Sequence, residues 1–398
     1  MEQLTFIDLF SGCGGLSEGF LQTKKFNALA HVEWEEPMVK TLRNRLEKKW
    51  GYSPDKAKKT VLHFDIQKTK ELINGKWKDD TRKIYEPTNH EDIIEGGLAC
   101  ITKNKKVDLI IGGPPCQAYS IAGRAQDKDS MKNDYRNYLF ESFIKVVDHF
   151  KPRVFVFENV PGMLSAKPGG YYVTERIYEA FKKIGYTIKA PYELKSCIYS
   201  ASDFNVPQKR RRVILIGKKN NEEFDLKEIY NSIDKQKKNK TLTVRDAIFH
   251  LNKPKPYTKS KKNIDPHTCR FHNNRDIKIF REWIKNKMNN YPLNQKLKFY
   301  KLKTGKDSNH AKYRNLEWDK PSPTIVAHLY KDGLMFIHPK DARSITVKEA
   351  AILQSFPDDF EFLGPQGYCY KMIGNAVPVN MSKAIAIGIY NFLTNLKS

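Results

Sequence analysis

Short apolar runs recur along the first half of the chain, and each stops at a glycine, a proline or a carboxylate. Leu4 to Leu9, Asn27 to Val32, Val61 to Phe64, Val107 to Ile111, Val154 to Phe157 and Val213 to Gly217 are continuous rather than alternating. That is the pattern of strands buried on both faces. Ile188 to Glu193 reads as a further strand. Between these runs lie helix-like stretches. Leu16 to Gln22 is one, and Tyr135 to Phe150 is another, with apolar positions at Leu139, Phe143, Val146, Val147 and Phe150 and a stop at Pro152. Glu175 to Ile184 and Ile277 to Met288 follow. Thr346 and Glu349 form a capping box that opens a helix toward Ser355. A terminal helix comes last, and its Gly388 allows close packing.

Two regions interrupt the pattern. Thr69 to Lys106 is polar and weakly patterned, and reads as a mobile insertion. From Lys218 to about Asp319, lysine, asparagine, aromatics and prolines dominate, which points to a small, loop-rich, basic domain. A disordered insertion is the alternative there. Pro321 to Ile325 leads into a hairpin-like stretch, and no internal repeat is visible.

Charge narrows the partners. The 398 residues carry 70 Lys and Arg against 45 Asp and Glu, a formal +25. Such an excess favours polyanions, nucleic acid first, although a basic balance also arises from AT-rich coding. The six cysteines are scattered without a CxxC pair, as expected of reduced thiols. His267, Cys269 and His272 lack a second ligand pair, so no metal site is expected. The first residues form no signal peptide and no apolar run reaches transmembrane length, so a cytoplasmic protein without a membrane partner is expected.

The candidate chemistry sits at the ends of the strands. In VDLIIGGPPCQAYSIAG, from Val107 to Gly123, a strand runs into two glycines, two prolines and Cys116. Glycine permits tight backbone and proline stiffens it, so the thiol leaves the sheet along a defined path. Open α/β sheets bind ligands there. A buried structural cysteine is the competing reading. Asp8 to Gly15 (DLFSGCGG) is a glycine-rich turn between strand and helix, the layout of a nucleotide site or simply a tight connection. Glu33 ends the second strand, where an acid can hold ribose hydroxyls, and Asp65 ends the third. Glu158 ends the strand Val154 to Phe157, where it is either the second chemical group of a site or a cap. Gln208, Arg210 and Arg212 alternate toward one side of the run into the next strand, an arrangement suited to phosphate or base contacts.

A strand-end thiol, a strand-end carboxylate and an arginine cluster beside a nucleoside pocket suit nucleophilic attack on an electron-poor ring. With these residues the chain closely resembles the DNA (cytosine-5-)-methyltransferases. The matching blocks are DLFSGCGG at Asp8, Glu33-Trp34, Asp65-Ile66, GGPPCQAYS at Gly112, Glu158-Asn159-Val160, QKRRR at Gln208, TVKEAAILQSFPD at Thr346 and GNAVPV at Gly374. They stand in the family's order and span nearly the whole chain.

The resemblance implies an α/β, Rossmann-like S-adenosylmethionine-dependent methyltransferase fold with a second, smaller DNA target-recognition domain. Residues 1–219 would begin the catalytic domain, 220–335 would form the target-recognition domain, and 336–398 would complete the catalytic domain. Cys116, Glu158 and Arg212 would be catalytic, with Arg210 and Gln208 beside them. S-adenosylmethionine would lie against Asp8, Phe10, Ser11, Gly12, Gly14, Gly15, Glu33, Trp34, Asp65, Ile66 and Pro114. Asn375, Ala376 and Val377 would close its pocket. Double-stranded DNA would meet Gln117, Ser120, Arg124, Asn159 and Thr324, with the target cytosine flipped out of the helix. In the middle region Asn273, Asn274, Arg275 and His310 are candidates for base contacts by residue type.

The implied role is sequence-specific methylation that protects host DNA in a bacterial restriction-modification system, by a monomer acting on the same site as a cognate restriction endonuclease. Two other readings are a transfer-RNA cytosine-5 methyltransferase and a catalytically silent DNA-binding regulator.

Overall fold

Leu4–Leu9 (β1) pairs in parallel with Phe26–Glu33 (β2) on one side and with Leu109–Gly112 (β4) on the other. The computed structural model describes residues 3–75, 96–103, 105–115, 139–257 and 265–395. Val61–His63 (β3) extends the sheet beyond β2, and Val154–Asn159 (β5) extends it beyond β4, all in parallel. The polarity then changes. Arg211–Lys219 (β9) runs antiparallel to β5, and Tyr186–Thr187 (β6) and Ile198–Ser200 (β7) both pair antiparallel with β9. The order is β3-β2-β1-β4-β5-β9-β6, with β7 also on β9. The chain steps outward in both directions from β1, so the strand ends around β1 and β4 flank a topological switch point.

The packing explains the continuous apolar runs. Phe6, Ile7, Ile110, Ile111, Phe155 and Phe157 are fully buried. Phe155 stacks on Phe181 of the helix Val173–Lys183 at 4.1 Å, and Phe143 of the helix Leu139–Phe150 meets Phe157 edge-on at 5.3 Å. The terminal helix Val379–Asn395 closes another flank. A Cβ on Gly19 would lie 2.5 Å from the Lys383 amide nitrogen, and the Ser382 hydroxyl donates to the Leu16 carbonyl. A Cβ on Gly388 would meet Ile233 at 2.6 Å, which is the close packing expected of that glycine.

Two compact units result. Met1–Phe204, Arg211–Lys238 and Val379–Ser398 form the first, and Asn205–Arg210 with Asn239–Pro378 form the second. These boundaries differ from those expected. Residues 220–238 belong to the first unit because the helix Leu226–Asp234 brings Ile233 onto the terminal helix. Of the C-terminal segment, only Val379–Ser398 joins the first unit. The second unit has its own core of Ile279, Phe280, Trp283, Met288, Tyr313 and Ile337.

Several local expectations change. Ile188 to Glu193 is not a strand: Pro191–Cys197 is a 3₁₀ turn, because Pro191 has no amide to give a ladder. Beyond Pro321 the hairpin-like stretch is reduced to one antiparallel bridge, Ile337 with Ser344, and Pro321 to Ile325 takes no part in it. Ser322–Pro323 (β10) instead makes a short parallel pair with Gln208–Lys209 (β8). The flanks of the expected insertion are helices, Thr69–Asn74 and Gly97–Ile101, which meet so closely that a Cβ on Gly75 would lie 2.3 Å from the Gly96 nitrogen.

Candidate active site

In the first unit, Glu33 is the best-held carboxylate of the β1–β2 edge. Its Oε1 accepts from the amides of Trp34 and Glu35, both at 2.8 Å, and its Oε2 accepts from the Gly12 amide at 2.7 Å. The turn that supplies Gly12 has left-handed backbone at Phe10 (φ 57°), Gly12 (φ 56°) and Gly14 (φ 93°). Glycine adopts this freely, but a phenylalanine held there is uncommon, and such positions concentrate at ligand clamps. The Gly14 amide donates to the Ser11 carbonyl, and the Ser11 amide donates to Val32. The turn therefore spends its Gly12 amide on Glu33 and its Gly14 amide on itself. Burial pushes the Glu33 carboxyl up to about 7, against the pull of its three backbone donors.

The helix after this turn, Gly15–Gln22, is anchored from beneath. Glu18 accepts from Arg45 Nη2 at 2.7 Å and Nε at 3.1 Å, and from Trp50 Nε1 at 3.1 Å. Removing one partner of such a buried pair costs about 3–5 kcal/mol.

Trp34 is 51% exposed, and its ring lies 6.2 Å from that of His63. Asp65 accepts from the Gln67 amide at 3.0 Å, and Ile66 beside it is buried. A carboxylate offers about four acceptor sites. Three donors on Glu33 leave one for a ligand hydroxyl, and an exposed aromatic face adjoins it. This set fits a nucleoside. Asp8 does not belong to it. Its side chain is fully enclosed, opposite His31 in the strand register and 3.6 Å from the ring Nδ1, and burial raises its carboxyl. The Asp8 side chain is thus an interior group beneath the turn. His31, which sequence reasoning passed over, carries no motif signal.

At the edge of β4 and β5, Glu158 pairs with Arg212, with Nε 2.7 Å from Oε1. Both side chains are largely sheltered. Gly112 and Gly113 make the close approach possible. A Cβ on Gly112 would meet the Leu9 carbonyl oxygen at 2.3 Å, and one on Gly113 would meet Glu158 Oε2 at 2.6 Å. The glycine at 113 thus lets the chain pass directly over the carboxylate on its way to Pro114 and Pro115. Asn159 is buried: its Nδ2 donates to the Pro114 carbonyl at 3.4 Å, and its Oδ1 accepts from Val160 at 2.9 Å. Asn159 thereby braces this diprolyl turn. Cys116, Gln117, Ser120 and Arg124 lie outside the described residues.

The expected fan of Gln208, Arg210 and Arg212 is divided. Arg212 lies in the first unit, on β9, whereas Gln208 and Arg210 are fully buried in the second. Arg210 donates to the carbonyls of Ile325 at 2.7 Å and Gly374 at 3.0 Å. Gln208 donates to the Leu353 carbonyl and to Gln354 Oε1, and accepts from the Ile325 amide. Both fasten backbone within their unit. Alternation failed because the chain changes unit between Arg210 and Arg211. Thr324 donates to the Lys209 carbonyl at 2.6 Å, so its hydroxyl is engaged by β8. Asn375 is exposed at the end of the helix Gln366–Asn375, Val377 is buried, and the Ala376 carbonyl accepts from Gln354.

Other candidates also have local duties. Asn273 caps the helix Asn274–Lys285 through the Asp276 amide, and Arg275 pairs with Asp276. His310 contacts Asn309 and Lys312. His267 bonds Thr346 and the Asn252 carbonyl, while His272 bonds Ser344. Among the described residues no group of three such ligands could hold a metal, and no helix is long and apolar enough to cross a membrane.

The family described as C-5 cytosine-specific DNA methylase matches residues 4–75 and 62–391. The type II methyltransferase M.Bpa9945I of Bacillus paralicheniformis is 36% identical, over 96% of this chain and 97% of its own. The type II methyltransferase M1.HphI of Haemophilus parahaemolyticus is 32% identical, over 98% and 88%. Among solved structures, a prophage-encoded DNA modification methyltransferase of E. coli matches with a TM-score of 0.61 at 23% identity, covering 98% of this chain and all of that one. The Entamoeba histolytica methyltransferase EhMeth matches at 0.56 and 16%, over the whole of both chains. These two bear on the fold, which is the Rossmann-like one expected. With family matches across most of its length, the chain belongs to the C-5 cytosine-specific DNA methylases and is a DNA (cytosine-5-)-methyltransferase.

Proposed function

We propose that this enzyme methylates carbon 5 of a cytosine flipped from duplex DNA, through a transient bond to Cys116. The observation that carries this reading is the Glu158–Arg212 pair beside the Gly112–Pro115 turn that leads to Cys116. A cytosine stacked in the duplex exposes neither ring face to a thiolate, so it must leave the stack. Addition of the Cys116 thiolate to carbon 6 moves electron density onto ring nitrogen 3 and the exocyclic oxygen. Glu158 is the group to supply a proton at nitrogen 3, and Arg212 the group to hold the oxygen, where charge develops. Glu33 would bind the ribose of S-adenosylmethionine, Trp34 and Phe10 would flank its adenine, and Asp65 and Ile66 would border the base. When bound, that cofactor supplies an electrophilic methyl group to carbon 5. Removal of the proton from carbon 5 then restores the ring double bond and expels the thiolate of Cys116.

The cellular role proposed is protection of host DNA from an endonuclease that cuts the same site. Type II relatives over nearly the full length support it.

A duplex carrying 5-fluorocytosine at the target tests the covalent step, because fluorine cannot leave as a cation and elimination stalls. A denaturant-resistant protein–DNA complex with wild type and none with Cys116→Ala is expected. The same complex in the variant would overturn the assignment.

A further inference from the structure

The second unit contains a helix with no buried residue. Leu293–Thr304, sequence LNQKLKFYKLKT, begins after Pro292 and ends at Gly305 in left-handed backbone. An isolated helix of this length is marginal in water, so something must hold it. Two aromatic side chains do. Phe299 meets Trp283 at 5.7 Å and Tyr300 meets Tyr313 at 6.0 Å. Two lysines lie on this same inner side: Lys303 pairs with Glu282 at 2.5 Å, and Lys296 donates to the Asn289 carbonyl at 2.7 Å.

The outer side is different. Asn294, Lys298 and Lys301 follow one another at helical spacing, all exposed, and exposed Lys306 lies just past the C-terminus. Between Tyr291 and Lys312 the sequence has six lysines and one acid, Asp307. That acid pairs with Lys301 through two highly exposed side chains, a contact of little strength in water. Leu302 is 80% exposed beside them, but a single leucine does not make an apolar docking patch. Charge therefore decides the partner, and it is a polyanion.

We infer that this outer face, through Lys298, Lys301 and Lys306, lies along the phosphate backbone of the duplex substrate and supplies affinity that does not depend on sequence. The inference rests on the DNA-methylating reading above and adds a surface to it. The full-length chain with Lys298→Ala, Lys301→Ala and Lys306→Ala together tests it, beside the matching triple Lys→Arg variant. The probe is a methylatable duplex titrated between about 50 and 200 mM salt, with a structured RNA in parallel. Weaker duplex binding is expected, with the slope of log affinity against log salt reduced by up to about 2.7. The turnover rate at saturating DNA should be unchanged, and the arginine variant should restore binding. An alanine variant with wild-type affinity and slope overturns the inference while leaving the enzyme intact. So does a loss confined to RNA. Wild type that neither binds nor methylates any duplex would instead overturn the reading beneath it.

Discussion

Arg212 reaches Glu158 across the antiparallel pair β5–β9, with its Nε 2.7 Å from Oε1. The register sets Glu158 opposite Ile214 and Asn159 opposite Val213, so Arg212 comes from one residue beyond the paired stretch. Its own backbone partner is Tyr199 of β7. The guanidinium is thus fixed by two strands and delivered to the carboxylate that ends a third. In the mechanism proposed above, proton supply and charge stabilisation would thus be held as a single unit.

That coupling has a kinetic consequence. Arg212→Ala removes a donor aimed at developing charge and is expected to lower kcat by about 10²–10³, with DNA binding largely kept. Glu158→Gln should fall comparably, and the double variant by much less than the product of the two effects. Single-turnover methyl transfer measures all three. Fully multiplicative losses would show that the residues act separately.

Gly112 and Gly113 are adjacent but should fail differently. In Gly112→Ala the new methyl meets a backbone oxygen of β1, so a stability loss of about 1–3 kcal/mol is expected. In Gly113→Ala the methyl meets the Glu158 carboxylate, so activity should drop with little change in Tm. Thermal melts beside initial rates distinguish the two. Equal Tm losses would contradict the assignment.

Glu33 gives a pH dependence of defined sign. Its carboxyl is raised from the ordinary 4.5 to about 7 by burial. Between these values the folded protein holds a proton that the unfolded chain has released. The stability it contributes is therefore fully present below pH 4.5 and is lost as pH rises toward 7. Glu33→Gln should flatten that fall in Tm. Ribose hydroxyls favour the carboxylate, so S-adenosylmethionine should bind wild type more tightly as pH rises from about 6 to 8, and the variant should show no such trend. Calorimetry from about pH 4 to 8 checks both. Parallel curves for the two proteins would rule out Glu33 as the titrating group.

Strands with strong apolar runs were legible in the sequence because burial on both faces leaves a continuous signature. The strand ends carrying Glu33 and Glu158 were legible with them. Three kinds of feature were not. The helix Leu293–Thr304 buries nothing and so has no apolar period to detect. The helix Glu36–Trp50 was passed over although Pro37 near its start and Gly51 after its end mark its limits. The duties of Gln208, Arg210 and Asn159 depend on carbonyls contributed by distant segments, which no local pattern encodes. The surroundings of Asp8 were hidden for a related reason: its place in a glycine-rich motif gives no hint that its side chain turns inward to His31.

The most direct test of the central claim is methylation-sensitive sequencing of DNA from a methylation-free host expressing this chain, with Cys116→Ala alongside. Methylated cytosines at carbon 5, confined to one short motif and absent with the variant, are the expected result, and they would also reveal the target site. Unmodified DNA from a folded wild-type protein that binds S-adenosylmethionine, or the same methylation pattern from Cys116→Ala, would contradict it.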